Sequence, residues 1–215
     1  AERIAGACEN GQALVTSVVK EEKWVAPPKL YDLTTLQRDA NSLFGFTAKQ
    51  TLEYLGEKGF AYYFPYVYQT FLLDNEEAKD RIFQQHMTNQ EDYDKVVEQL
   101  HNLEECYDEL LECGCITCRE DLLRYGVTGW DAGRLNFMAR ACYDMKYISE
   151  AEAWDYIDRA YEMVRDRFSS WHDLAMSYII GRALWGGKSA SNSGMMYMAE
   201  DLLKSEKSPW TKIEW

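Results

Sequence analysis

From residue 90 to residue 112 the apolar positions Tyr93, Val96, Val97, Leu100, Leu103, Tyr107, Leu110 and Leu111 recur every three or four residues, which marks one buried stripe on a helix. Residues 150–167 repeat the pattern with Ala153, Trp154, Ile157, Ala160, Tyr161 and Val164. Helix starts are signalled by a Ser or Thr followed three residues later by an acid or amide, a spacing at which each partner satisfies an orphan N–H of the first turn. The matches are Thr34/Gln37, Thr47/Gln50, Thr88/Glu91, Thr117/Glu120, Ser149/Glu152 and Ser170/Asp173. Together these features predict helices over 34–43, 47–57, 61–72, 76–86, 90–112, 118–125, 130–146, 150–167, 171–185 and 194–204, with Gly45, Gly114, Gly126 and Gly186-Gly187 where helices should stop. No internal repeat interrupts the series.

Ahead of the helices one stretch reads as a strand. Residues 11–25, GQALVTSVVKEEKWV, are rich in Val and Thr and are followed by Pro27-Pro28. A lone strand cannot satisfy its own backbone groups. It must pair with a second short strand, pair with another copy of the chain as a homodimer, or remain a loose arm, and the pattern leaves all three open. The expected fold is therefore mainly α: an extended or β N-terminal arm over 1–29, then an irregular multi-helix domain over 30–215.

Composition supports a packed core. Of 215 residues, 47% are hydrophobic and 14% aromatic, with 15 Tyr and 7 Trp, so large amphipathic rings should join the helices. The net charge of −13 is uneven, because residues 1–60 carry 7 basic and 8 acidic side chains and the rest holds nearly all of the excess. Such a body repels nucleic-acid phosphates and anionic membrane, so neither is an expected partner. No apolar run is long enough to span a bilayer and the first residues show no charged-then-apolar leader, which leads to a cytoplasmic expectation. Cysteines would there be reduced.

Candidate chemistry is sparse. Cys113, Cys115 and Cys118, with Cys106 one helical span earlier, are the most metal-like group, but only Cys115 and Cys118 have the close-pair spacing that tetrahedral zinc favours. Buried or incidental thiols are the expected reading, with no metal. His86, His101 and His172 are scattered, and His172 reads as a surface or capping residue. Nucleophile elbow, phosphate loop and dinucleotide fingerprint are all missing, so no cofactor is expected. Adjacent acids such as Glu76-Glu77 and Glu104-Glu105 diverge on a helix and read as solvated faces.

Residues 25–55, VAPPKLYDLTTLQRDANSLFGFTAKQTLEYL, carry a first resemblance, and with it residues 1–55 resemble a fragment of bacterial type IA DNA topoisomerases, the sort found on conjugative mobile elements. In that family the stretch leads into the helices before the catalytic tyrosine, which stands in a Tyr-x-Arg-Thr-Asp-Ser motif. Here that place reads GEKGFAYYFPYVYQTF, without the motif. The acidic metal-binding domain, which precedes this segment in the family, is not part of this sequence. Tyr62, Tyr63, Tyr66 and Tyr68 have no Arg neighbour to stabilise developing phosphoryl charge and read as packing residues. The expectation is a chain that is not an active topoisomerase.

A second set, GWDAGRLNFMARACYDMKYISEAEAWDYI (129–157), FSSWHDLAMSYIIGRALWGG (168–187) and the closing SPWTKIEW (208–215), resembles the bacterial family known as domain of unknown function 1266, from about residue 120 to 215. That resemblance implies a helical fold and no particular chemistry. Its motifs fall on Trp130, Asp131 and Arg134; on Ser170 and Trp171; and on Gly181, Arg182 and Trp185. Asp131 and Arg134 share a helix face, close enough for an ion pair. One reading makes Trp130, Asp131, Arg134, Trp171, Arg182 and Trp185 a pocket in which the arginines hold a small anionic ligand between aromatic walls. The other makes them structural, with Asp131 paired inside a helix interface, tryptophans in the core and Gly181 permitting close contact. The two resemblances in series imply a chimera of a truncated mobile-element gene and a separate helical family. The functional expectation is a non-catalytic protein that binds a protein partner or a small ligand. An enzyme using Asp131, Arg134 and Arg182 is the alternative, and a DNA-associated protein the weaker one.

Overall fold

Thr47 opens the first described helix with the predicted reciprocal cap: its hydroxyl accepts from the Gln50 N–H at 3.2 Å while Gln50 Oε1 accepts from the Thr47 N–H at 2.9 Å. The computed structural model describes residues 47–215. The strand expected at 11–25, the helix at 34–43, the Thr34/Gln37 and Gly45 signals and any homodimer through the arm lie outside the described residues.

The described residues are mainly helical and contain no strand. In chain order they form α1 (Ala48–Glu57), α2 (Phe60–Phe71), α3 (Glu76–His86), α4 (Gln90–Glu112) and α5 (Arg119–Tyr125). Then follow α6 (Thr128–Asp144), α7 (Glu150–Arg165), α8 (Trp171–Gly186) and α9 (Asn192–Lys204), with short 3-10 turns at Gly187–Ala190 and Pro209–Thr211. Each helix expected in this range is present. Local caps explain most of the starts: Ser149 and Glu152 form the second reciprocal cap, and Ser170 accepts from the Asp173 N–H at 3.1 Å. Two signals act one residue later than expected. Asn89 rather than Thr88 caps α4, accepting from the Asp92 N–H at 2.8 Å, and Thr117 donates to Asp121 rather than Glu120. Gly126 and Gly187 end α5 and α8 at φ values of 59° and 52°, a region costly for any residue with a Cβ.

The cap at Ser149 also predicts an acid response. The Ser149 N–H and hydroxyl, with Lys49 across from α1, hold the Glu152 carboxyl down at about 2. A carboxylate with a lowered folded-state pKa stabilises fully above its ordinary value near 4.5, and that contribution disappears as pH falls through about 2. The stability difference between wild type and Glu152→Gln should therefore shrink between pH 5 and pH 2 in melting experiments; a difference independent of pH would show that the carboxylate's charge plays no part.

Two apolar clusters form the core. The first joins α2, α3, α4, α5 and α8 through residues such as Tyr63, Val67, Phe83, Leu103, Leu122 and Ile180. The second joins α1, α6 and α7 through Leu52, Leu55, Leu135, Met138, Ala153 and Ala160. Helix α8 packs on α4 and on α6, and so bridges them. Its buried residues, Ala175 to Leu184, cover more than one face, which is why its sequence reads as apolar all round.

Packing corrects several expectations drawn from periodicity. On α7 the buried stripe is Ala153, Tyr156, Ala160 and Val164, while Trp154 and Tyr161 are 56% and 58% exposed. On α4 Val97 is exposed and the polar Gln99 is buried. A count of three and four cannot separate two adjacent stripes when aromatic residues sit in both. Of the tyrosines read as packing residues, Tyr63 is buried and Tyr66 stacks on His86, but Tyr62 is half exposed. Glu104 is not simply solvated: it accepts from the nearly buried Lys79 ammonium at 2.7 Å and ties α3 to α4.

Candidate functional site

Asp131 stands in the first turn of α6 and is 1% exposed. Its two carboxylate oxygens accept from the Phe60 and Ala61 backbone N–H groups at 2.9 and 2.7 Å. These are orphan donors at the start of α2, whose own N-cap, Gly59, has no side chain to offer. A Cβ on Gly59 would lie 2.5 Å from the Asp131 Cγ, so the glycine is what lets the carboxylate reach. This corrects the expected ion pair: backbone N–H groups of another helix hold Asp131, and Arg134 acts on it only through its charge. Burial pushes the Asp131 carboxyl up to about 6, opposed by the N–H groups of Ala61 and Phe60 and by Arg134.

Trp130 is buried where α6 crosses α8. A Cβ on Gly181 would fall 2.3 Å from the Trp130 Cβ, so the glycine of the third motif makes room for the tryptophan of the first. Tyr178 meets the Trp130 ring edge-on at 5.1 Å, Trp185 lies against it at 5.7 Å, and the Arg134 guanidinium sits 5.6 Å from its centre. The Trp130 indole N–H is buried and has no hydrogen-bond partner among the described residues. Arg182 is engaged elsewhere, donating from Nε to the Ala190 carbonyl at 3.0 Å. Of the six candidates, the structure therefore gathers Trp130, Arg134 and Trp185 around one contact. It places Asp131 on α2 and Arg182 on the turn after α8.

Trp171 belongs to a different place. Its ring stacks on Trp210 at 5.1 Å and meets Trp215 edge-on at 4.9 Å. Its indole N–H donates to the Ile213 carbonyl at 2.8 Å, and that of Trp215 to the Phe168 carbonyl at 2.7 Å. These contacts fix the C-terminal segment against the start of α8. Beside them lies a cavity of about 810 Å³ between α6, α7, α8 and α9. Gly129 and Gly133 floor it from α6, Ala160 and Tyr161 from α7, and Tyr178 from α8, while Met198 and Leu202 face it from α9. Trp171, Trp210, Ile213, Glu214 and Trp215 close the remaining side. A volume of this order suits a small organic ligand, and the wall is dominated by aromatic and aliphatic groups with few polar ones.

Sequence reasoning found Trp171 but not its neighbours. The apolar spacing puts Tyr161 in a buried stripe, Tyr178 falls between the motif residues, and SPWTKIEW supplies Trp210 and Trp215 with no local signal of what they line. Cys106 and Cys115 are buried, Cys113 partly so and Cys118 exposed, and burial raises the first three thiols. Among the described residues no group of three or more His, Cys, Asp or Glu side chains is placed to hold a metal ion. His172 is half exposed in the first turn of α8, 3.7 Å from Asp173. No described helix is long and apolar enough to cross a membrane.

Comparison with known proteins recovers both resemblances. The family described as Protein of unknown function (DUF1266) matches residues 46–215, so it takes in α1 to α5 as well as the expected C-terminal half. A DNA topoisomerase family matches residues 1–58, overlapping the first in α1. The DNA topoisomerase 3 of Bacillus licheniformis is 47% identical over 53 residues, 25% of this chain and 7% of that protein. That of Shouchella clausii is 54% identical over 39 residues, 18% of this chain and 5% of that protein. The chain thus spans under a tenth of the length of these curated relatives. No solved structure matches it.

Proposed function

Since the chain belongs to the family described as Protein of unknown function (DUF1266), we propose its function from its own cavity: it is a non-catalytic protein that binds a small, largely apolar molecule between α6, α7, α8 and α9. The observation that carries this reading is the 810 Å³ space walled by aromatic and aliphatic side chains and left unfilled by the core. A concave, mainly apolar space of this size suits a small-molecule occupant. The enzyme reading gains no support from Asp131, whose oxygens are both used on backbone N–H groups and which does not line the cavity. Topoisomerase activity belongs to relatives of which this chain covers 7% or less, and among the described residues that stretch supplies none of the cavity's walls. The anionic-ligand reading is not favoured by this cavity, because Arg134 lies against the Trp130 ring and neither it nor Arg182 lines the space.

Titration with apolar fluorophores and medium-chain alcohols tests the proposal. Saturable binding should quench or shift tryptophan emission, since Trp171, Trp210 and Trp215 all line the space. Ala160→Phe places a ring in the cavity and should weaken binding by at least about tenfold, the value of a well-buried apolar group. Met198→Trp, at a position 56% exposed, fills the same space from its rim without touching the core and should act in the same direction. Undiminished affinity in both variants would remove the cavity as the site.

A further inference from the structure

The charges around the cavity are not balanced. Arg165 lines it, but its guanidinium is held by Asp166 through Nε at 2.9 Å and Nη2 at 3.1 Å. Glu214 lines it as well and, among the described residues, has neither an ion-pair nor a hydrogen-bond partner. Two donors that could receive an anionic or hydroxyl end, the indole N–H groups of Trp171 and Trp215, are spent on the Ile213 and Phe168 carbonyls. What these two indoles offer is ring surface, and of the two charged side chains lining the cavity, Arg165 and Glu214, the one without an ion-pair partner among the described residues is the Glu214 carboxylate. The chain as a whole carries the same sign, with a net charge of −13.

We propose that the cavity's ligand has an apolar body and one cationic end, an alkyl or aryl ammonium, with the charge seated at Glu214 against the rings of Trp210 and Trp215. This rests on the reading of the cavity as a binding site and adds the chemistry of the occupant. An ammonium is attracted electrostatically to indole faces and to a nearby carboxylate, while a carboxylate end would be repelled by Glu214 and would meet an Arg165 guanidinium already paired with Asp166. Neutral amphiphiles would bury the same apolar surface without either contribution.

Three probes sharing one chain separate the possibilities on the intact protein: decyltrimethylammonium, 1-decanol and decanoate, each below its aggregation concentration. The expected order is ammonium tightest, by about fivefold over the alcohol at low salt, with decanoate weakest. Glu214→Gln should narrow the ratio between ammonium and alcohol to under about twofold. Equal affinity of ammonium and alcohol, or decanoate binding tightest, would overturn the cationic assignment while leaving the cavity as a binding site. Failure of all three to bind saturably, or binding that Ala160→Phe and Met198→Trp both leave intact, would overturn the cavity reading and this inference with it.

Discussion

Asp131→Ala should destabilise the protein by about 2–4 kcal/mol in denaturant unfolding, with no change in the cavity's lining. The deletion strands the Phe60 and Ala61 N–H groups at the start of α2, and an unsatisfied buried donor costs about 1–3 kcal/mol. Asp131→Asn keeps one acceptor and should cost less, about 1 kcal/mol. The two substitutions also differ in pH response. Because the folded chain holds the Asp131 proton more tightly than an ordinary carboxyl, near 6 against 3.8, its contribution is fully present below about pH 4 and is lost as pH rises through about 6. Wild type should therefore lose, between pH 4 and pH 6, a stability increment that Asp131→Asn does not lose. Parallel stability curves for the two proteins would mean that the carboxyl titrates normally and is less sealed than the geometry makes it.

Gly181→Leu should be the other severe change, about 3 kcal/mol or more, because even a Cβ there lies 2.3 Å from the Trp130 Cβ and 2.8 Å from its Cγ. The mechanism predicts strong coupling. In a Trp130→Ala background, itself costing about 3–5 kcal/mol, the leucine has space to occupy and its added penalty should fall below about 1 kcal/mol. An unchanged penalty in that background would place the clash elsewhere on α6. The same crossing accounts for two of the three motifs, since Trp130 and Gly181 make one contact and Trp185 covers it from the exposed side.

The topoisomerase-like stretch does not end at the edge of the helical body. Its last part is α1, and Ala48, Leu52 and Leu55 are buried in the cluster with Leu135, Met138 and Ala160. The two family matches overlap across residues 46–58. A simple end-to-end fusion of unrelated pieces is therefore too coarse a description. Whatever its ancestry, α1 now supplies core to α6 and α7.

Helix positions could be read from the chain because the interactions that set them span three or four residues: the caps at Thr47, Ser149 and Ser170, the left-handed stops at Gly126 and Gly187, and apolar spacing within one helix. Even there, the sequence placed Trp154 and Tyr161 in the wrong stripe, since which of two neighbouring faces is covered depends on the helix opposite. Only the tertiary structure decided the partner of Asp131, because the acceptor and its donors are 70 and 71 residues apart and Gly59 gives no local signal. Likewise Ser191, the residue before α9, makes no side-chain cap, and Glu109 of α4 serves the helix instead by accepting from the Asn192 side chain and the Ser193 N–H. The cavity was equally hidden, for four helices and the C-terminal segment line it together. Local chemistry determines where a helix begins; what it faces, and what is left open between it and its neighbours, is determined by residues far away along the chain.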